Sequence, residues 1–143
     1  MNDFATPIER FFHSFEQSSD SGDFSALIPQ FADVFLAAGP GKAQSVKARD
    51  FALALPGRRQ LFESLGCQAT ALVSLQENRL DDRYALVSTR WRMTFARGSD
   101  DPQEVLADST FLVDKSTDDF KIVLYLAHRD PMAMLREKGI LPS

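Results

Sequence analysis

At 143 residues the chain has the length of one domain, and its 44% hydrophobic and 25% charged content is ordinary for a globular protein. Its net charge of −4 provides no positive field for nucleic acid or an anionic membrane surface. No apolar run reaches the ~20 residues that span a bilayer, and a single cysteine, Cys67, excludes an internal disulfide and a cysteine-based zinc site.

The same composition predicts a cytoplasmic protein without a resident metal. The N-terminus carries an acidic Asp3 and no long apolar segment, which is not the pattern of a signal peptide. The two histidines lie far apart in the sequence, and the acidic loops lack calcium-loop spacing. We therefore predict one domain over residues 1–143 that uses no metal and no cofactor.

The first part of the chain has the pattern of helices. Thr6-Pro7-Ile8-Glu9 is a capping box with proline at the first helical position. An apolar stripe at helical spacing follows and predicts a helix that ends near Ser18. The stripe consists of Ile8, Phe11, Phe12 and Phe15. Asp23 then predicts the N-cap of a second, short helix.

The next segment alternates between predicted strands and helices. Phe31 to Leu36 is predicted as a short strand, and 42–47 as a returning strand after the Gly-Pro-Gly break at 39–41. From Ala48 the pattern is helical, but Pro56-Gly57 interrupts it. We therefore predict two short helices, about 48–55 and 56–65, whose inward residues are Leu61, Phe62 and Leu65.

The rest of the chain is organised around long consecutive strands. We predict them at Cys67–Asn78, Tyr84–Arg97, Val105–Asp114 and Phe120–His128, separated by loops rich in turn residues. Gly66 stands where a left-handed helix C-cap is expected before the first strand. After the last strand, Asp130 and Pro131 predict a short helix, with Ile140-Leu141 folding back onto Leu135 past Gly139.

Residue parity assigns the strand side chains to two faces. Pairing Asn78 with Tyr84 and Arg97 with Val105 places Ala71 and Phe111 opposite Trp91. The odd-numbered face is then apolar and contains Cys67, Ala69, Ala71, Val73, Leu75, Val87, Trp91, Met93, Phe95, Ala107, Phe111 and Val113. The even face is mixed. One bulge in a long strand would move the residues beyond it to the other face.

The last strand is apolar on both faces, which indicates a central strand or one at a dimer contact. Its two sets are Phe120, Ile122, Leu124, Leu126 and His128 on one side, and Val123 and Tyr125 on the other.

This order of elements resembles the NTF2-like, or SnoaL-like, superfamily with its cystatin-like α+β cone fold. Three stretches carry the resemblance: Phe31-Ala-Asp-Val-Phe35, Val87-Ser-Thr-Arg-Trp-Arg-Met-Thr-Phe95 and Asp119-Phe-Lys-Ile-Val-Leu-Tyr-Leu-Ala-His128. The resemblance implies a curved antiparallel sheet, covered on its concave face by the N-terminal helices, and a short C-terminal helix. It also implies a cone that often holds a small apolar ligand, and a homodimer through the outer sheet face. The family includes both enzymes and binding proteins, so the fold leaves the function open.

In the enzymes of this family, a carboxylate or a histidine in the cone acts as the general base. Parity places Asp108 and Asp114 on the outer face, where we expect them to pair with Arg90 and Arg92. Two candidates remain as catalytic residues, Asp33 and His128. The alternatives are that Asp33 caps or pairs at a helix end and that His128 is structural or solvated.

The inner face predicts a ligand-binding set of Trp91, Thr89, Ser109, Phe111 and Tyr125. The alternatives are that Trp91 only fills the core and that Tyr125 lies in the dimer interface. We expect Cys67 to be a small buried hydrophobe. Three hypotheses follow: a binding domain for a small apolar molecule, a cofactor-free isomerase, dehydratase or cyclase, and an interaction module with a filled cone.

Overall fold

The computed structural model describes residues 6–96 and 101–141. The helices in these ranges are α1 (Pro7–Ser21), α2 (Phe24–Leu27), α3 (Ala48–Ser64) and α4 (Pro131–Glu137), with a 3-10 turn at Ile28–Gln30. The strands are β1 (Phe31–Gly39), β2 (Lys42–Lys47), β3 (Cys67–Arg79), β4 (Tyr84–Phe95), β5 (Gln103–Asp114) and β6 (Lys121–Ala127). The predicted strand end at Arg97 lies outside the described residues. No described helix is long and apolar enough to cross a membrane.

The strands form one curved, unclosed sheet in the order β2-β1-β6-β5-β4-β3. All neighbouring pairs are antiparallel except β1 and β6, which run parallel. The α+β class and the curved sheet covered by N-terminal helices are therefore as predicted. The central position of β6 also confirms the inference from its two apolar faces.

The helices pack on one face of the sheet, which we call the inner face. Helix α1 begins as its capping box predicts, with the Thr6 hydroxyl accepting a hydrogen bond from the Glu9 backbone N–H. Its stripe buries Ile8 and Phe12 completely, and Phe12 packs against Phe111 of β5 with ring centroids 5.0 Å apart. Fully burying each such side chain contributes about 1.5–3 kcal/mol, so this contact fixes α1 on the sheet.

The odd-numbered positions of β4 and β5 face inward, as predicted, but their register differs from the predicted one. Trp91 lies opposite Ala107 and not opposite Phe111, whose partner is Val87. The observed register places Arg90 opposite Asp108, and their side chains form two hydrogen bonds of 2.8 and 3.2 Å. This charge-assisted pair is formed only in the observed register, which alternation alone does not determine.

The predicted parity is wrong for part of β3, because the strand contains two irregularities. Its partners on β4 shift between Cys67 and Ala69 and again between Leu72 and Ser74. Leu72 and not Ala71 therefore lies opposite Trp91 and packs on the core, and Val73 is exposed. Bulges of this kind accommodate the strong curvature of a long strand.

A bulge also divides β6. The register against β5 shifts between the Leu112–Leu124 pair and the Val113–Ile122 pair, which leaves Val123 as the extra residue. Ile122 and Tyr125 consequently share the inner face although they differ in parity, because Tyr125 pairs with inward-facing Phe111. The predicted single set from Phe120 to His128 is therefore wrong beyond Val123.

Helix α3 is one helix, and the predicted break at Pro56 is wrong. Proline in a helix interior costs about 3 kcal/mol. However, the apolar residues on both sides of it keep a single helical phase, at Phe51, Leu55, Phe62 and Leu65. One continuous helix buries this whole stripe, whereas Leu61, predicted inward, is 41% exposed. Gly66 follows with φ +95, as the predicted left-handed cap requires.

The C-terminal helix folds back as predicted. Asp130 caps α4 through its carboxylate, and Gly139 has φ +75. The backbone N–H groups of Ile140 and Leu141 then donate to the Leu135 carbonyl. Leu135 and Ile140 are buried in a second apolar cluster with Met93 and Phe95, which closes that end of the sheet.

Two carboxylates of α1 accept hydrogen bonds from backbone N–H groups on the free edge of β3. The Glu16 carboxylate accepts the Leu72 backbone N–H at 2.7 Å, and the Asp20 carboxylate accepts the Thr70 N–H at 2.9 Å. An unpaired strand edge can pair with another chain, and these contacts make two of its backbone N–H groups unavailable for such pairing. They also hold the irregular part of β3 in place.

Replacing Glu16 by alanine is expected to lower the free energy of unfolding by about 1 kcal/mol, because the Leu72 N–H loses a charged acceptor. Urea denaturation followed by circular dichroism measures this difference. Gln17→Ala is the matched control on the exposed side of the same helix. Equal stability of the Glu16 and Gln17 variants would contradict the role given to this contact.

Candidate binding cavity

A cavity of about 240 Å³ lies between the helices and the inner face of the sheet. Its wall is mostly aromatic and includes Phe15 of α1, Phe51 of α3, Trp91 of β4, Phe111 of β5 and Tyr125 of β6. Each of these side chains is held by a ring neighbour; Phe15, for example, lies 5.7 Å from Trp91 between ring centroids. The cavity is partly open to solvent, so a small molecule can enter it.

Trp91 is fixed by a short chain of hydrogen bonds. Its indole Nε1–H donates to the Thr89 hydroxyl at 2.8 Å, and that hydroxyl donates to the Ser109 backbone carbonyl at 3.0 Å. Trp91 is only 7% exposed, yet it contributes to the cavity wall, whereas Thr89 does not. Thr89 thus orients the indole, and the indole N–H is not available to a ligand.

Phe111 and Tyr125 also line the cavity, as a parallel stack. Their ring centroids are 5.2 Å apart and the planes differ by 6°. The Tyr125 hydroxyl has no hydrogen-bond partner among the described residues, and the same holds for the Ser109 hydroxyl. Tyr125 and Ser109 therefore do not bond to each other, and both hydroxyls can serve a ligand.

Cys67 adds a neutral sulfur to the wall. Its Sγ lies 3.9 Å from the Ala69 carbonyl, and burial raises the pKa of the thiol above its ordinary value. The thiol therefore stays protonated at neutral pH and is a poor nucleophile. Cys67 was predicted to be a small buried hydrophobe, and the structure places it only partly buried.

Comparison with known proteins rests on structure, because neither a protein-family model nor a curated protein matches this sequence. An NTF-2 like protein of unknown function from Shewanella oneidensis superposes with a TM-score of 0.66 at 20% identity, covering 85% of this chain and 96% of that one. An NTF2-like protein with a cystatin-like fold from Novosphingobium aromaticivorans gives 0.69 at 16% identity, with 96% and 88% covered.

The chain has the NTF2-like fold. The same fold occurs in the beta subunit of the benzoate 1,2-dioxygenase from Burkholderia mallei, with a TM-score of 0.64 at 14% identity and coverage of 91% and 93%. Proteins of unknown function and an enzyme subunit thus share this architecture, and at these identities the likeness concerns the fold alone.

The two candidate bases lie outside the cone of this NTF2-like domain. Asp33 is exposed on β1 and does not line the cavity. His128 is exposed at the end of β6, and its Nε2 lies 2.6 Å from the Thr110 hydroxyl on the outer face. The bulge at Val123 contributes to this placement, because it puts His128 on the outer face and Tyr125 on the inner one.

The acidic side chains of β5 are paired with arginines. Asp108 accepts two hydrogen bonds from Arg90, as predicted, and this guanidinium lowers the pKa of the carboxyl. Asp114 pairs with Arg83 at 3.1 Å and not with Arg90 or Arg92, and the pair lowers the pKa of Asp114 to about 2. Both groups are therefore ionised near neutral pH and are weak bases.

Sequence reasoning missed the helical part of the cavity wall. It searched strand positions, whereas Phe15, Phe51 and Phe62 reach the cavity from α1 and α3. The helical spacing of Phe51, Leu55 and Phe62 is a signal that could have found them once α3 is treated as one helix. Arg58, which follows Pro56-Gly57 on the same helix, also lines the cavity.

Proposed function

We propose that this NTF2-like domain binds a small, largely apolar molecule in the cavity walled by Trp91, Phe111 and Tyr125. The observation that carries the proposal is a partly open aromatic cavity in which two hydroxyls, on Ser109 and Tyr125, have no partner among the described residues. Ligand sites of this kind combine apolar walls with a few placed polar groups that set the orientation.

The volume limits the size of the ligand. An apolar cavity of about 150 Å³ holds benzene, so 240 Å³ suits a molecule of about two rings. Such a molecule can contact both the Trp91 ring and the Phe111–Tyr125 stack, which line the same cavity. A hydroxyl or carbonyl on it can bond to Ser109 or Tyr125.

The charged groups around the cavity favour binding over proton transfer. To act as a general base inside the cone, a carboxylate must have a pKa that is raised by apolar surroundings. Three acidic residues contribute to the cavity lining, and the carboxylate of each already has a partner: Asp20 with the Thr70 N–H, Glu63 with Arg59, and Asp108 with Arg90 on the outer face. This arrangement supports the binding hypothesis rather than the isomerase, dehydratase or cyclase alternative.

We further propose that two copies of the chain associate through the outer face of the sheet. On that face, leucines occupy directly neighbouring positions on four strands: Leu86 opposite Leu112, Leu112 opposite Leu124, and Leu124 beside Leu36. Helices cover only the inner face, so this leucine row is accessible to a partner: Leu36 is 41% exposed, and Leu86, Leu112 and Leu124 are partly exposed. A self-complementary apolar row of this kind suits a two-fold interface.

Binding is tested with naphthalene-2-methanol, a two-ring apolar molecule with one hydroxyl. The chain has a single tryptophan, so a ¹H–¹⁵N spectrum contains one indole N–H signal that reports directly on Trp91. We expect this signal to shift on titration, with a Kd of about 0.1–1 mM for a ligand of this size.

Ala107→Leu places a larger side chain in the cavity wall and is expected to weaken this binding at least about tenfold, because less volume remains. Ala43→Leu, on exposed β2, is the matched control and should bind like the unmodified protein. An indole signal that does not move, or unchanged affinity in Ala107→Leu, would contradict the proposal. The first result would favour an interaction module whose own side chains fill the cone.

A further inference from the structure

The basic side chains around the cavity mouth are not equivalent. Arg59 donates to the Ser19 and Asp20 carbonyls and lies 3.4 Å from the Glu63 carboxylate. Arg129 donates to both carboxylate oxygens of Glu137 at 2.7 Å. These two guanidinium groups are thus already neutralised by the protein itself.

Arg58 differs from both of them. Its guanidinium lies over the ring of Phe62, 5.2 Å from the centroid, and both side chains line the cavity. Within residues 6–96 and 101–141, no carboxylate lies within ion-pair distance of it. The cavity carboxylates are paired elsewhere, so one positive charge at the cavity remains without a counter-charge.

The position of this charge suits an anionic ligand. Stacking on Phe62 restrains the guanidinium of Arg58 through its planar face. The N–H donors lie in the plane of the group, so they can still bind a carboxylate in a bidentate manner. Phe62 lines the same cavity as the other aromatic residues. A molecule with its rings inside the cavity can therefore place an acidic group beside Arg58.

We infer that the natural ligand is a singly charged aromatic or alicyclic carboxylic acid, with its rings in the cavity and its carboxylate on Arg58. The inference rests on the proposed function, since it names the ligand class of the same cavity. A monoanion fits better than a phosphate, because Arg58 is the one lining guanidinium that forms no ion pair within the described residues, whereas Arg59 and Arg129 pair with Glu63 and Glu137. A second negative charge on the ligand would therefore have no cationic partner.

The test compares naphthalene-2-carboxylate with naphthalene-2-methanol, which share the same rings and differ in charge. Affinities come from calorimetry, and the Trp91 indole signal shows that both bind in the cavity. We expect the carboxylate to bind about fivefold more tightly at low ionic strength, as for an exposed ion pair. This preference should diminish at high salt, where exposed charges are screened.

Arg58→Gln is expected to remove the preference for the carboxylate, so that this variant binds the carboxylate and the alcohol with equal affinity. Arg92→Gln on the outer face is the matched control and should retain the preference. Equal affinity for the two compounds, or a preference that survives in Arg58→Gln, would overturn the inference and leave the proposed function standing. Failure of both compounds to bind would overturn both.

Discussion

Replacing Trp91 by alanine is expected to weaken binding of naphthalene-2-methanol at least about tenfold and to lower the free energy of unfolding by about 3 kcal/mol. The binding loss follows because Trp91 forms part of the aromatic wall of the cavity. Calorimetry measures the affinity, and urea denaturation measures the stability of the same samples.

The expected stability loss lies at the lower end for a buried tryptophan because one side of the indole faces the cavity. Atoms that face open space have no packing partners there, so removing them forfeits fewer contacts. The other side packs on Phe15, 5.7 Å away between ring centroids, and this contact is lost.

Trp91→Phe is the companion variant, and it keeps the test decisive if the alanine variant does not fold. It retains an aromatic wall but loses the hydrogen bond to Thr89, so we expect a smaller loss, about 1 kcal/mol of stability. Full probe affinity in both variants would show that the ligand does not contact Trp91. Unchanged affinity combined with a loss of about 5 kcal/mol would make Trp91 only a core filler.

Replacing Leu112 by arginine is expected to raise the dissociation constant of the proposed dimer at least about 100-fold, because Leu112 lies in the middle of the leucine row, between Leu86 and Leu124. Two copies related by a two-fold axis would each place a charge in the apolar centre of the interface. Sedimentation velocity measures the effect and should show a dimer for the unmodified protein and a monomer for the variant.

Leu53→Arg is the control for this experiment. Leu53 is 81% exposed on α3, away from the outer face of the sheet, so its replacement should leave the dimer intact. A monomeric unmodified protein at micromolar concentration, or a dimer that tolerates Leu112→Arg, would contradict the proposed interface.

The positions of the strands could be predicted from sequence because their signals are local. Alternation and turn residues place the starts of β3 and β4 at Cys67 and Tyr84, where the structure has them. Capping residues likewise locate the starts of α1 and α4, at Thr6 and Asp130.

The register and the bulges depend on contacts between residues that are distant in sequence. The carboxylates of Glu16 and Asp20 bind backbone groups of β3 that lie 56 and 50 residues further along the chain. The alternation of apolar and polar residues within β3 does not depend on these contacts. The inward position of Leu72 therefore could not be predicted from it. The β4–β5 register likewise brings together Arg90 and Asp108, which lie 18 residues apart in the sequence.

The candidate site was predictable only in its strand part. Trp91, Ser109, Phe111 and Tyr125 line the cavity as the inner face implied, while Thr89 supports Trp91 from outside the lining. Asp33 and His128 were chosen because they lie at the ends of predicted elements, and that criterion does not fix the direction of a side chain. The contribution of α3 was hidden by the assumption that Pro56 ends a helix.

A crystal structure of the protein grown with naphthalene-2-methanol tests the central claim most directly. We expect the two rings to lie in this cavity in contact with Trp91 and the Phe111–Tyr125 stack, with the hydroxyl within hydrogen-bonding distance of Ser109 or Tyr125. A cavity closed by Phe15 and Trp91, with no probe in it at saturating concentration, would contradict the assignment of this cone as a binding site.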